Sequence, residues 1–360
     1  MSQLDRRAWL LWALAGPALA AEPALGVSRR PLRFPRDFGA HPDTGLEWWY
    51  LTGLLGPDEA TPQYGYQLTF FRLRNRDPAV QAHPSALAPR QLLLAHVALS
   101  DLRAGRQHHE QRLARIGPGG VHAAEQDCDL RLRDWWLRRS EQGYEARFGG
   151  TDFALALDLR STAAPLLQGE AGYSRKGPDP AQASHYYSRP QLQTRARLSL
   201  AGARSLALQG RSWLDHEWSD SLLAPEAQGW DWLGVNLLDG SALTAFQLRR
   251  ADGSALWSGG SWRESAGATR SYASGEIVFR PGRRWRSPRS GAEYPVEWQL
   301  QTPQGRLQLR ALMDAQEIDA RPSTGLLYWE GAAELLDAQG RQLGRGYLEM
   351  TGYARRMRLL

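Results

Sequence analysis

Leu233-Gly234-Val235-Asn236-Leu237-Leu238 runs into Asp239-Gly240, then Leu243-Thr244-Ala245-Phe246-Gln247-Leu248-Arg249, then Asp252-Gly253, then Ala255 to Trp262. Asp-Gly accepts the positive φ of a two-residue hairpin turn, and here it twice separates short apolar runs. The stretch therefore reads as three antiparallel strands. Similar punctuation recurs at Gln304-Gly305 and Gln339-Gly340, and helical periodicity is scarce. One stretch, Ala311 to Ile318, reads as helical. Many short strands with regular turns predict an all-β chain built as sandwiches or up-and-down barrels.

The strands also repeat. Glu47-Trp48-Trp49-Tyr50-Leu51-Thr52-Gly53 followed by Gln67-Leu68-Thr69-Phe70-Phe71 echoes Trp230-Asp231-Trp232-Leu233-Gly234 followed by Ala242-Leu243-Thr244-Ala245-Phe246, with Trp49 set on Trp232. Arg211-Ser212-Trp213-Leu214-Asp215 echoes Arg345-Gly346-Tyr347-Leu348-Glu349, and before them Tyr187 loosely echoes Tyr328. Ordered echoes at both ends imply an internal duplication. The predicted halves are residues 21–222 and 223–360, the first being the longer. Two such halves suggest two tandem closed barrels, since closure removes exposed edge strands and leaves room for a small ligand.

Composition narrows the function. The chain has 360 residues and ordinary globular proportions, which exclude wholesale disorder. Its single cysteine, Cys128, excludes a disulfide framework and a cysteine-rich metal site. The 44 basic residues, of which Lys176 alone is lysine, are dispersed among 38 acids, so no nucleic-acid-binding face is expected. Fifteen tryptophans point instead to aromatic-lined cores or pockets.

Residues 1–20 read as a signal peptide. Arg6-Arg7 precede an apolar run, Ala8 to Pro17, too short to span a bilayer, and Ala18-Leu19-Ala20 is a small-x-small cleavage site. The paired arginines resemble a twin-arginine signal. A mature chain starting at Ala21, secreted or periplasmic and without a transmembrane anchor, is the expectation.

His41-Pro42 with Glu47-Trp48-Trp49-Tyr50, Tyr186-Tyr187-Ser188-Arg189-Pro190, Trp213-Leu214-Asp215-His216-Glu217-Trp218 and Gly229-Trp230-Asp231-Trp232 resemble the AttH-like, carotenoid 1,2-hydratase superfamily. The resemblance implies tandem lipocalin-like barrels. It also implies either a secreted protein that binds an apolar ligand as the soluble partner of an ABC-type exporter, or a hydratase or cyclase acting on an isoprenoid or polyene. The hydratases carry a His-x-Trp that His216 and Trp218 match. Their Tyr-x-Asp on a following strand has no counterpart in Leu243–Arg249, which holds Phe246-Gln247 and no Asp.

Asp215-His216-Glu217-Trp218 is the sharpest candidate catalytic cluster. Alternation along a strand puts Asp215 and Glu217 on one face and His216 and Trp218 on the other. Hydrating a trisubstituted alkene needs a protonated acid, a host for a cation and a guided water. A carboxyl in an apolar pocket supplies the first, an indole face the second and a histidine the third. Asp215 or Glu217 would then be the acid, Trp218 or Trp230 the cation host and His216 the water partner. The competing reading pairs both carboxylates with arginines such as Arg211 and leaves the tryptophans as core.

Glu47 sits inside an apolar run, so it must be paired, Arg189 being the expected partner, or functional. Trp48, Trp49, Tyr186, Tyr187, Trp213, Trp230 and Trp232 complete the candidate ligand-binding set. His108-His109-Glu110 lies in a charged stretch without a second ligand set, so no metal is expected, and no nucleotide loop or other cofactor motif is present. Paired carboxylates also allow a glycosidase, and tryptophan platforms a carbohydrate-binding protein.

Overall fold

The computed structural model describes residues 27–117, 119–220 and 223–357. The signal peptide read at residues 1–20 lies outside these. Two antiparallel sheets, of 13 and 10 strands, hold all but two short strands of the described residues, and the fold is all-β and lipocalin-like. Among the described residues no helix is long and apolar enough to cross a membrane.

The first sheet runs from Arg106–Arg115 at one edge through Gln91–Asp101, Tyr64–Arg74, Leu46–Gly56, Leu206–Ser219 and Ala183–Leu200 to Phe153–Arg160, and ends with short strands reaching Val121–Ala123. The second runs from Thr269–Tyr272 through Ala255–Arg263, Ala242–Arg249, Gly229–Leu237, Gln342–Met350 and Leu326–Asp337 to Val278–Pro281. The strands of the first sheet therefore fall within residues 46–219 and those of the second within 229–350. Both Asp-Gly pairs lie in hairpin turns, but the loops are three residues long, 238–240 and 251–253, and only the glycines take positive φ, Gly240 at 91° and Gly253 at 84°, where a side chain would be strained.

Each sheet curls around its own core. The first core stacks Trp49, Leu51, Leu68, Phe70 and Trp218, and the second Leu233, Leu243, Trp298, Trp329 and Leu348. Strands facing solvent alternate cleanly, as in Phe153–Arg160. The central strands do not, because both of their faces are buried: Leu46–Gly56 and Ala242–Arg249 are covered almost throughout. Their outer faces meet each other. Leu46–Gly56 packs on Gln342–Met350, and reciprocally Gly229–Leu237 packs on Leu206–Ser219. A third apolar cluster, containing Tyr50, Leu54, Trp213, Trp232 and Tyr347, fills this seam.

Ala311 to Ile318 is not helical. Leu309 and Ala311 end a strand, Glu317–Ala320 begins another, and the chain between bends. The Gln316 side chain ties this bend to the strand Leu326–Asp337: Nε2 donates to Met313 O at 2.6 Å, and Oε1 accepts from Ala332 N at 3.0 Å.

Candidate functional site

The barrel interiors are packed, and the hollow lies between the barrels. It is open-mouthed, with a volume of about 90 Å³. Its walls are the outward faces of the central strands. Leu46–Gly56 supplies Trp48 and Tyr50, and Leu206–Ser219 supplies Asp215 and Glu217; Gly229–Leu237 supplies Trp230 and Trp232.

The strand registers make the walls equivalent. Asp215 stands opposite Tyr50, and Tyr50 opposite Thr69; Glu349 stands opposite Trp232, and Trp232 opposite Phe246. Across the next strand, Asp215 faces Ser188 and Glu349 faces Glu330. Trp48 thus corresponds to Trp230, Tyr50 to Trp232, Tyr186 to Tyr328, and Asp215 to Glu349. The echo of Asp215 with Glu349 stands, while that of Trp49 with Trp232 and of Tyr187 with Tyr328 shifts by one residue and that of Leu68 with Leu243 by two. Trp49 points into the first core while Trp232 faces the seam, and Tyr187, unlike Tyr186, is turned inward.

Asp215 is 2% exposed. Tyr186 Oη donates to its Oδ2 and Trp213 Nε1 to its Oδ1, both at 2.6 Å, and Trp232 Nε1 donates to Tyr186 Oη at 3.0 Å. Burial pushes its pKa up to about 7, against the pull of bonds from Ser188, Tyr186 and Trp213, and Glu217 adds to the rise. Glu217 accepts from Ser184 Oγ at 2.5 Å and pairs with Lys176 Nζ at 3.0 Å. That ammonium also lies over the Tyr186 and Phe246 rings, 4.6 and 4.3 Å from their centroids.

The opposite wall holds Glu330 and Glu349 on adjacent strands. Burial raises both, and each carboxylate opposes ionisation of the other or of its neighbours. Tyr50 Oη and Glu330 Oε1 are buried without a hydrogen-bond partner in bonding geometry.

The adjacent tetrad therefore divides. Asp215 and Glu217 line the hollow, whereas His216 and Trp218 point into the first barrel. His216 stacks on Trp49 at 4.4 Å between ring centroids, and Trp218 on His41 at 3.8 Å. His216 is not placed to guide water in the hollow, nor Trp218 to host a cation there. Trp48, Tyr186, Trp230 and Trp232 line the hollow; Trp213 reaches it through Asp215. Glu47, Trp49 and Tyr187 belong to the barrel interior.

Glu47 pairs with Arg72 rather than Arg189, with Arg72 Nε 2.7 Å from Oε2. His41 Nδ1 and His216 Nε2 share its Oε1 at 2.7 and 2.8 Å. Burial alone would raise Glu47, but the bonds from His216 and His41 and the charge of Arg72 hold it well below the usual carboxylate range. Burial lowers His216 to about 4 despite Glu47. His41, Glu47 and His216 are close enough to hold a metal ion. With Arg72 and the His41 backbone N–H already on Oε2, the arrangement instead satisfies itself as a buried ion-pair network. Arg211 bonds Glu59, not Asp215 or Glu217.

Tyr50, Lys176, Phe246, Tyr328, Glu330 and Glu349 are among the lining residues that sequence reasoning missed. Glu330 carried a usable signal. It lies in Leu326-Leu327-Tyr328-Trp329-Glu330, as apolar a run as the one around Glu47. Lys176 carried another, being the single lysine among 44 basic residues.

A crystal structure of an AttH protein from Nitrosomonas europaea is 42% identical, covers 92% of this chain and 99% of its own, and superposes with a TM-score of 0.82. Kievitone hydratase from Nectria haematococca shares the fold at 15% identity over 92% of this chain and 96% of its own, with a TM-score of 0.67. CghA shares it at 11% identity over 93% and 99%, with a TM-score of 0.52. No protein of curated function matches by sequence. The AttH-like family model matches residues 26–353, so the chain belongs to the AttH-like family.

Proposed function

We propose that the protein is a hydro-lyase-like or cyclase-like enzyme acting on a carbon–carbon double bond of an apolar isoprenoid or polyene ligand held between the barrels. The observation that carries this reading is Asp215, a carboxyl held near neutrality in its titration and buried in an aromatic hollow. Such a group keeps its proton and gives it to an alkene carbon. The cation so formed lies among the faces of Trp48, Trp230 and Trp232. Water then adds, its proton passes to a carboxylate of the Glu330–Glu349 pair and on to solvent, and Asp215 takes up a proton from solvent to restore the acid. In a cyclase the second attack comes from another double bond of the same ligand.

The kievitone hydratase fold supports this reading over simple ligand carriage. The expected export, and partnership with an ABC-type exporter, are compatible with it and are part of the proposal. The test incubates purified protein with an acyclic polyene ending in trisubstituted alkenes and looks for addition of one water, or for an isomer of unchanged mass. Asp215→Asn lowers turnover by roughly 10²- to 10⁴-fold while ligand binding persists. Full activity in that variant would refute the assignment.

A further inference from the structure

The two walls of the hollow differ in one respect that their equivalence makes plain. On the Glu217 side a protein ammonium, Lys176, sits on two aromatic faces and pairs with a carboxylate. On the equivalent side, Tyr328 stands where Tyr186 stands, and two carboxyls, Glu330 and Glu349, stand where Ser188 and Asp215 stand. Lys176 is the only basic residue lining the hollow among the described residues. Glu330 is 2% exposed and its Oε1 has no hydrogen-bond partner. The Tyr50 hydroxyl bears on Glu330 and the Trp230 indole on Glu349, each favouring the ionised form, but two adjacent buried carboxyls with so few donors are costly unless they are protonated or meet a cation.

We infer that the Glu330–Glu349 side of the hollow is a seat for an organic cation, an amine or quaternary ammonium carried on an apolar body. The inference rests on the reading of this hollow as the ligand site and names the charge of what binds there. It also deepens that reading, because a bound ammonium imitates the cation formed by alkene protonation, and a site complementary to that cation binds its stable mimics tightly. The rings available to it are Tyr50, Tyr328, Trp230 and Trp232.

The charge balance is specific. Groups facing the pair are Tyr50 from the first barrel, Tyr328 and Tyr347 from its own sheet, Asp215 and Glu217 across the hollow, and Asp231 beside Glu349. Asp231 is committed to Arg249 at 2.7 Å and Glu217 to Lys176. None of these groups brings an uncommitted positive charge. A cation entering the seat favours the ionised pair and displaces a proton, so affinity rises with pH across the range in which the pair titrates.

The test compares benzyltrimethylammonium with neopentylbenzene, the same shape with carbon in place of charged nitrogen. Binding to the full mature chain is followed by tryptophan fluorescence and by calorimetry in two buffers of different ionisation enthalpy. The expected result at pH 8 is an advantage of about thirtyfold for the cation, with proton release on binding. Glu330→Gln with Glu349→Gln removes the advantage and the proton release but keeps binding of the neutral probe. Because Gln also removes a buried repulsion, these variants should fold, and circular dichroism checks that. If they do not, Glu349→Gln alone serves, and must cut the advantage. Equal affinity for the two probes, or a preference that survives both substitutions, overturns the inference. Cation preference without turnover of any polyene upholds this inference and sinks the proposed reaction; turnover without cation preference does the reverse.

Discussion

Asp215 and Glu349 occupy the same register position in the two halves, each directly across from a seam-facing aromatic, Tyr50 for one and Trp232 for the other. Two carboxyls related in this way look into one hollow from opposite sides. Only Asp215 has a full set of donors around it, and that asymmetry separates their roles.

Asp215 makes stability depend on pH in a direction opposite to that of most carboxylates. Its pKa rises from 3.8 to about 7 on folding, so its contribution is whole below the unfolded-chain value and is lost as pH climbs through 7. Asp215→Asn removes this dependence. Its deficit in unfolding free energy relative to the parent should shrink by about 4 kcal/mol between pH 4 and pH 9. Denaturant midpoints of both proteins across that range measure it, and parallel curves would refute it.

The bonds from Tyr186 and Trp213 favour the ionised form of Asp215. Tyr186→Phe and Trp213→Phe should therefore each move its titration upward, by about one pH unit for a lost hydrogen bond of ordinary strength. The carboxyl C=O stretch in difference infrared spectra reports it. A downward move would contradict the geometry.

Glu47 and Arg72 are 0% and 1% exposed. Glu47→Gln leaves a buried guanidinium uncompensated and should cost about 3–5 kcal/mol. Adding Arg72→Met should recover part of that loss. Neither change should alter probe affinity in the hollow, since both side chains face the barrel interior. Calorimetric unfolding combined with dye displacement checks both statements.

His216 separates the faces of one strand. His216→Asn should lower the melting temperature through loss of its bond to Glu47 and its stacking on Trp49, yet leave ligand affinity within about twofold. A large loss of affinity at unchanged stability would return His216 to the site.

Gly234 is closely packed at the seam. A Cβ there would lie 2.5 Å from a ring carbon of Trp232 and 2.9 Å from one of Trp213. Gly234→Ala should cost about 1–3 kcal/mol by overpacking and disturb the Trp213–Asp215 bond. A red shift of tryptophan emission together with a lower denaturation midpoint is the expected pair of observations.

Much of the fold was legible because its turns are chemically marked. Asp239-Gly240 and Asp252-Gly253 locate strands without reference to anything distant. The alternation that separates Asp215 and Glu217 from His216 and Trp218 was equally local and holds. What could not be read was which face looks where. In strands such as Leu46–Gly56 both faces are buried, so hydrophobicity carries no parity, and Trp49 was set on Trp232 although they point to different compartments. The expected helix at Ala311 to Ile318 failed because Gln316, a single side chain, organises the bend. Lys176, Glu330 and Glu349 reach Asp215 only through the meeting of two barrels, which no short-range pattern records.

That meeting has an evolutionary corollary. Since neither barrel encloses the hollow, a single-barrel precursor would have displayed its ring-bearing flank to water and acquired a chamber only by pairing with a second molecule of itself, in the isologous manner of a two-fold dimer. Fusing the two copies freed each flank to change independently, and the lysine beside Glu217 and the glutamate at position 330 are differences that a symmetric dimer could never have fixed on one side alone.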